Sequence, residues 1–335
     1  MSSFAAGLLR YLSIMAGGMA ITAAEGSTDI IPLYSFNQSP LVQIYGLPAL
    51  GPAKVLDQDK VNVSVQLHAA NNSTVASNNA ESLVLDGETH RLTLVARQGL
   101  ANGYEWGVEL PYVSHSGGFM DNFIEDWHQT FGLPQGNRPN TPPNRINYRY
   151  IGNGAELVNV SRSTEGIGDI RLAAAVQLAR DPGARIVALR GNLKLPSGKS
   201  ADLLGSGSTD LALWVSIAPD LTTAGALRGY GGGGLLLMTD GDVLPNQQRN
   251  YVAFGNIGLS YRLFPSLTLS AQLDAHSSFY TGSDFRQLNA NAVQGLLGAS
   301  WEFAPGKNVG LSISEDLTIR ASPDFVLNLF MSFSF

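Results

Sequence analysis

The chain contains no cysteine, which excludes disulfides, thiolate metal sites and cysteine nucleophiles. Charge is scarce too: Asp, Glu, Lys and Arg make up 14% of residues, against roughly 25% in an ordinary soluble domain. No basic tract occurs and the formal net charge is −6. A general nucleic-acid binder, which must neutralise phosphates, is thereby excluded. Beyond residue 24 no stretch supplies the roughly 18 continuous apolar residues that a membrane-crossing helix needs.

What the chain does have is glycine, 37 of 335 residues, and a mean hydropathy near zero. Few charges, many glycines and neutral hydropathy suit a membrane β-barrel, in which lipid-facing and water-facing residues average out. The first 24 residues read as a secretory signal. Arg10 is the only charged side chain before Glu25, "YLSIMAGGMAITAA" is apolar but short, and Thr22 and Ala24 are small residues at a cleavage site. Export through the periplasm to the outer membrane of a Gram-negative bacterium is the expected address.

From residue 61 onward, apolar and polar residues alternate with a period of two, the mark of strands with one apolar face. "VNVSVQLHA" puts Val61, Val63, Val65, Leu67 and Ala69 on one side, and "YEWGVELPY" does the same with Tyr104, Trp106, Val108, Leu110 and Tyr112. Similar stretches at 88–98, 166–178, 185–195, 208–218, 225–238, 250–263, 267–279, 290–303, 308–320 and 324–335 bring the expected count to twelve. Their connections alternate in length. "QGLANG", "RDPGA", "PDLTTA", "FPS" and "APGKN" are tight, whereas 71–87, 114–165, 196–207, 239–249 and 280–289 are long and polar. An even number of strands with short turns at one end and long loops at the other describes an outer-membrane barrel. The expected fold is therefore all-β, a transmembrane antiparallel barrel of about twelve strands spanning 59–335.

The last stretch, "FVLNLFMSFSF", pairs with the first strand in such a barrel and points Phe325, Leu327, Leu329, Met331, Phe333 and Phe335 toward lipid. A terminal aromatic strand resembles the signal read by the barrel-assembly machinery, so that machinery and the membrane lipids are the expected partners. Residues 25–58 are rich in Pro and Gly without long alternation. They are expected in the periplasm or partly inserted into the lumen, where a twelve-strand barrel has room for a modest plug.

Several motifs invite chemistry. "GYGGGG" at 229–234 matches G-x-G-x-x-G, but "LLLM" continues the strand and no acidic residue stands near 254. A dinucleotide fold would need a helix and that acid. The glycines are expected instead to permit bending or close approach of another backbone, such as the plug. In "GGFMDNFIEDWHQTFGLP", Phe119, Phe123, Ile124, Trp127 and Phe131 recur at spacings of three and four, which predicts an amphipathic helix ended by Gly132 and Pro134. It is expected to cap the barrel mouth from a long extracellular loop. Asp121, Glu125 and His128 share its polar face and could bind a metal, though such trios are usually only solvated. No metal or cofactor is expected.

Reading alternate positions, Arg91, Arg97, Arg171, Arg190, Lys194, Arg228 and Arg262 face the lumen as cations, and Glu105, Glu109, Asp210, Asp274, Glu302 and Asp316 as anions. Opposite charges can pair across strands or line a water path; the near balance argues against strong ion selectivity. Asp274, His276 and Ser278 share one strand face and are the right cast for a hydrolytic triad. Strand neighbours two apart are spaced about 7 Å at the backbone, long for direct hydrogen bonds. Glu315 breaks the pattern by falling on the lipid face, which a bulge or a place near the headgroups would explain.

The stretches "NQSPLVQIYGLP", "LDGETHRLTL", "ELPYVSHSGGFMDNFIEDWHQTFGLPQGNR" and "LKLPSGKSADLLGSGSTDLALW" resemble a family of proteobacterial outer-membrane proteins known as a domain of unknown function (DUF 3187). The resemblance runs from about residue 32 to the C-terminus. It implies fold and compartment and carries no catalytic residue or ligand. The leading functional expectation is a channel or passive transporter for small molecules. A lipid-modifying enzyme using His276, His128 or Ser278, and a purely structural or assembly role, are the alternatives.

Overall fold

The computed structural model describes residues 31–132, 143–181, 185–219, 226–317 and 321–335. The expected signal segment lies outside these residues, as do the side chains of Phe123, Trp127, His128 and Phe131. The described strands, in chain order, are β1 (Val61–Ser77), β2 (Glu81–Gly99), β3 (Tyr104–Ser116), β4 (Asn147–Gly152), β5 (Ala155–Val160), β6 (Thr164–Ile167), β7 (Arg171–Arg180), β8 (Arg185–Lys194), β9 (Asp210–Pro219), β10 (Leu227–Met238), β11 (Tyr251–Phe264), β12 (Leu267–His276), β13 (Ala292–Ala304), β14 (Lys307–Asp316) and β15 (Phe325–Ser334).

Twelve of them close a ring of antiparallel neighbours, β1-β2-β3-β7-β8-β9-β10-β11-β12-β13-β14-β15. The ring closes where β15 pairs with β1, from Asn62↔Ser334 to Asn71↔Phe325. Val61 and Phe335 then exchange two backbone hydrogen bonds (3.2 and 2.9 Å), so the ladder runs to the last residue. This is the expected all-β barrel, and the period-two pattern is its cause. Along β1 the odd residues face out, while Asn62, Ser64, Gln66 and His68 face in and are buried. Exposed Leu94, Leu110, Leu213, Leu235, Leu259, Leu273 and Leu311 continue the outward apolar band around the ring. Among the described residues no helix is long and apolar enough to cross a membrane.

The remaining strands arise where the sequence promised only loops. The β1–β2 ladder continues past the ring from Asn72↔Gly87 to Ser77↔Ser82, so most of the expected loop 71–87 is hairpin. Above Gly87, β2 exchanges its partner β3 for β4, and β4 pairs with β5. Gly87 sits at φ +148 and a Cβ there would stand 3.1 Å from the Ser116 carbonyl, so glycine permits this switch. Short β6 continues the line of β7 along β3, with Tyr112↔Ile167 above Glu109↔Arg171.

The resulting four-stranded flap folds inward. Leu83, Leu85, Tyr148, Tyr150, Val158 and Val160 are buried in one apolar cluster with Val243 and Leu244 of the β10–β11 loop and Phe279, Phe285 and Leu288 of the β12–β13 loop. The last of these loops carries a single helical turn, α2 (Arg286–Asn289). This roof does what the amphipathic stretch was expected to do.

That stretch forms α1 (Asp121–Phe131), but its described contacts are not over the mouth. Met120 and Ile124 are buried against Phe325, with Ala69, Ile313 and Leu327 packed around them. Ala69, Ile313 and Leu327 share the outward face of β1, β14 and β15, so Ile124 lies on the outside of the wall. The turn before α1 is pinned there by Glu88, a buried outward carboxylate that accepts the Phe119 and Met120 amides (2.8 and 2.5 Å). Phe119 is 73% exposed and stacks on the outward ring of His90. Spacing told which helix face is apolar; it could not tell which surface that face would meet.

Glu315 also differs from expectation in part. Its pairing with Gly295 and Phe325 is in continuous register, so no bulge turns it. It stands one residue from the loop end of β14, where an outward carboxylate costs least.

Candidate functional site: the occupied lumen

Residues 31–60 thread the inside of the ring. The segment starts among the short turns, where Ile31 lies beside Arg228, Arg262 and Glu302. It rises to a tip at Ser39–Tyr45, closed by the amides of Val42 and Gln43 donating to the Ser39 carbonyl (2.9 and 2.8 Å). It then descends until the Asp59 amide meets the Gly99 carbonyl (3.1 Å), just before β1 begins. Nine large side chains of this segment are buried: Leu33, Phe36, Leu41, Val42, Ile44, Tyr45, Leu47, Leu50 and Val55. At roughly 1.5–3 kcal/mol each, their burial favours the inserted state by about 14–27 kcal/mol, an upper bound.

The wall holds the segment mostly by its backbone. On the rising arm, Gln272 accepts the Leu33 amide (3.0 Å) and donates to the Leu33 carbonyl (3.2 Å), while Asn328 donates to the Tyr34 carbonyl (3.0 Å). At the tip, the Tyr280 hydroxyl donates to the Leu41 carbonyl (2.8 Å) and Asp210 accepts the Gly46 amide (2.7 Å). Burial raises the Tyr280 phenol well above its ordinary range, which keeps it protonated as that donor. On the descending arm, Arg190 donates to the Pro52 and Lys54 carbonyls (2.7 and 3.2 Å), Gln177 spans the Ala53 carbonyl and Val55 amide (3.0 and 2.9 Å), and Glu105 accepts the Leu56 amide (2.9 Å). A segment without regular structure must satisfy its buried amides somewhere, and here inward wall side chains do so.

Most sequence-selected charges meet in this lumen, concentrated on β2, β3, β7, β8 and β9. Arg190 pairs with Glu105 (2.9 Å), and Arg97 lies 3.6 Å from the same carboxylate. Arg171 pairs with Glu109 (3.5 Å), and the Arg91 and Arg171 guanidinium carbons stand 5.1 and 4.8 Å from the ring centroid of Phe36. Lys194 reaches Asp210 (3.3 Å) and Asp169 (2.5 Å). Buried pairs of this kind specify geometry more than they add stability. Arg228, Arg262 and Glu302 instead surround a smaller cavity at the turn end, of about 50 Å³. Asp274 accepts from Gln272 (2.7 Å), and Asp316 stands at the loop end of β14.

Asp169, Tyr34, Gln43, Gln177 and Gln272 were not singled out by sequence. Tyr34 and Gln43 belong to an irregular segment and Asp169 to the break between β6 and β7, where no parity exists to assign an inward side. Gln177 and Gln272 carried the inward parity but no charge to draw notice.

The triad cast does not assemble. His276 spends its ring nitrogens on Asn37 (2.8 Å) and the Ser277 carbonyl (2.8 Å), so neither meets Asp274 or Ser278. The glycine run is explained by packing: a Cβ at inward Gly232 would stand 2.9 Å from Leu50 of the segment and 2.6 Å from the Val215 carbonyl.

Between the two arms of the segment and the wall lies a cavity of about 110 Å³. Asn62, Ser64, Arg97 and Ser332 place it at the turn end, and Trp214 and Leu50 form its upper limit beneath the roof.

A profile described as protein of unknown function (DUF3187) matches residues 9–335. No curated protein matches the chain. Among solved structures, the COG4313 outer membrane channel from Pseudomonas putida F1 is similar in fold at 13% identity, with a TM-score of 0.58, covering 85% of this chain and 99% of that one. The NanC porin follows at 9% identity and a TM-score of 0.45, covering 82% and 98%. The KdgM porin in complex with disordered oligogalacturonate has 9% identity and a TM-score of 0.41, covering 82% and 99%.

Proposed function

This chain belongs to the DUF3187 family, and from that premise we propose that it is an outer-membrane passive channel for small molecules, gated by local movement of its internal segment. The observation that carries the reading is the lumen itself. A structural barrel could be filled with apolar side chains, whereas this one is lined by paired charges and amides around a segment that leaves a cavity at the turn end. The outward leucine band would meet membrane lipid, the loop end would face outside, and residues 1–24 would direct export before removal. The C-terminal aromatic strand would be the handle for the barrel-assembly machinery.

Liposome swelling and planar-bilayer conductance of the purified full-length protein test the reading. Slow, saturable flux of small neutral solutes is expected; a barrel that passes neither solute nor ion refutes it. Because the chain has no native cysteine, a Gly46→Cys/Asp210→Cys pair can tether the tip to the wall. A Cβ at Gly46 would stand 2.8 Å from that of Asp210, inside the ~3.5–4.5 Å span of a disulfide, so the tip must give by about 1 Å for the bond to form. Flux should fall on oxidation and return on reduction.

A further inference from the structure

We infer that the closing seam of the ring is held by a two-sided clamp, α1 outside and the Tyr34 carbonyl inside, which sets how slowly the closed barrel reopens.

The β1–β15 ladder differs from the other ladders of the ring. Its strands are the only ring neighbours from opposite ends of the chain, so their contact closes the longest loop and costs the most chain entropy. No turn joins them, and parting them leaves every hairpin of the wall intact. Reopening should therefore begin there.

On the outer face, the chain leaving β3 steps across this seam. Phe119 and Met120 donate their amides to Glu88 of β2 (2.8 and 2.5 Å), and Asp121 accepts from Asn71 of β1 (2.9 Å). Ile124 is then buried with Phe325 of β15, and Ala69, Leu327 and Ile313 of β1, β15 and β14 pack around that contact. One short stretch thereby ties five adjacent strands, β3-β2-β1-β15-β14. Gly118 permits the crossing: its φ is +73, and a Cβ there would land on the Glu88 carboxylate.

The inner grip lies at the same height. His68 of β1 and Asn328 of β15 are cross-strand partners, and both donate to the Tyr34 carbonyl (3.2 and 3.0 Å). The next pair along the seam is Ala69↔Leu327, which Met120, Ile124 and Phe325 cover from outside. A single level of the seam is thus held from both faces. Contacts that must break before the ring opens slow its opening, which is the basis of kinetic stability. Such a clamp serves a conducting barrel and a closed one alike.

The test uses full-length protein refolded in detergent and two readouts. Hydrogen exchange by mass spectrometry follows β1 and β15, and the half-time of the folded, heat-modifiable gel band at fixed temperature follows unfolding. Ile124→Ala or Gly118→Ala releases the outer grip and should speed exchange in β1 and β15 about tenfold or more. Asn328→Ala removes one inner bond and should speed it roughly three- to tenfold. Strands β8–β10 should not change, and the half-time should shorten in step with the seam. Gln177→Ala, which breaks bonds of the same kind on β7, should leave β1 and β15 as they are. Because the chain has no native cysteine, a Val65→Cys/Met331→Cys pair can bolt the seam covalently. The two residues are direct cross-strand partners, whose spacing suits a disulfide. With that bond oxidised, Ile124→Ala should unfold no faster than its parent; reduced, it should speed up again. Should Gly118→Ala fail to fold, Ile124→Ala carries the decision. Unchanged exchange in β1 and β15 on Ile124→Ala, an equal rise in β8–β10, or acceleration that survives oxidation overturns the clamp.

Discussion

Replacing Arg190 by alanine perturbs the descending arm where its attachment is densest. The guanidinium is 5% exposed and holds Glu105, the Pro52 carbonyl and the Lys54 carbonyl at once. Removing one partner of a buried pair costs about 3–5 kcal/mol. Arg97 remains 3.6 Å from Glu105 and is 21% exposed, so it takes over part of the charge and water enters with it. The lower bound, ~3 kcal/mol, is therefore the better figure, and it falls on the attachment of residues 51–57 rather than on the strands. At 1.4 kcal/mol per decade, the detached fraction of that arm should rise by roughly 10²-fold. Hydrogen exchange by mass spectrometry reads this directly: the amides of Val55 and Leu56, which donate to Gln177 and Glu105, should lose about two decades of protection while β12–β14 keep theirs. Bilayer recordings should show more frequent openings. Adding Glu105→Gln should restore part of the protection, because the stranded charge is removed. Unchanged exchange at Val55 and Leu56 would refute the claim that side chains of the wall hold the segment through its backbone.

Gly232→Val should cost ~1–3 kcal/mol, the usual penalty of overpacking, since its side chain runs into Leu50 and the Val215 carbonyl. Heat-modifiability on gels, which reports barrel unfolding, measures it. Ile124→Ala should loosen α1 by about 2–5 kcal/mol and expose it to protease without altering conductance, because Ile124 lies on the outer wall. Tyr148→Ala, in the roof, should instead change conductance; the opposite pattern would restore α1 as the cap. Phe335→Ala leaves both backbone bonds to Val61 possible, so folded protein should keep its melting temperature within a few degrees. The fraction inserted into cell membranes should fall several-fold, as fractionation would show.

The twelve wall strands were legible because a sheet that is apolar on its outer face and polar on its inner one writes a period of two into every strand. The same parity found Arg190, Glu105, Arg171, Glu109, Lys194 and Asp210, and the register brings them into pairs. Legibility stopped where that two-sided environment ended. The upper part of β1 reads "NNSTVAS", with only Val75 and Ala76 apolar, so no alternation marks it even though its partner residues Leu83 and Leu85 are buried in the roof. Strands β4, β5 and β6 are only four to six residues long, too short for alternation to stand out in a 52-residue connection (114–165). The internal segment has no period at all, so its hydrogen-bond partners could be found only in space.

The way the interior is filled has a consequence for how the molecule is made. Residues 31–60 emerge ahead of the strand that must later receive β15, the last to be completed. Threading a doubled-back stretch that carries nine bulky apolar groups into a ring already zipped would be slow, since it must enter folded on itself through the turn end. Loading before closure would be the faster route, with the segment as a mandrel around which the staves gather. Chains that close too early would then be hollow and slow to fill.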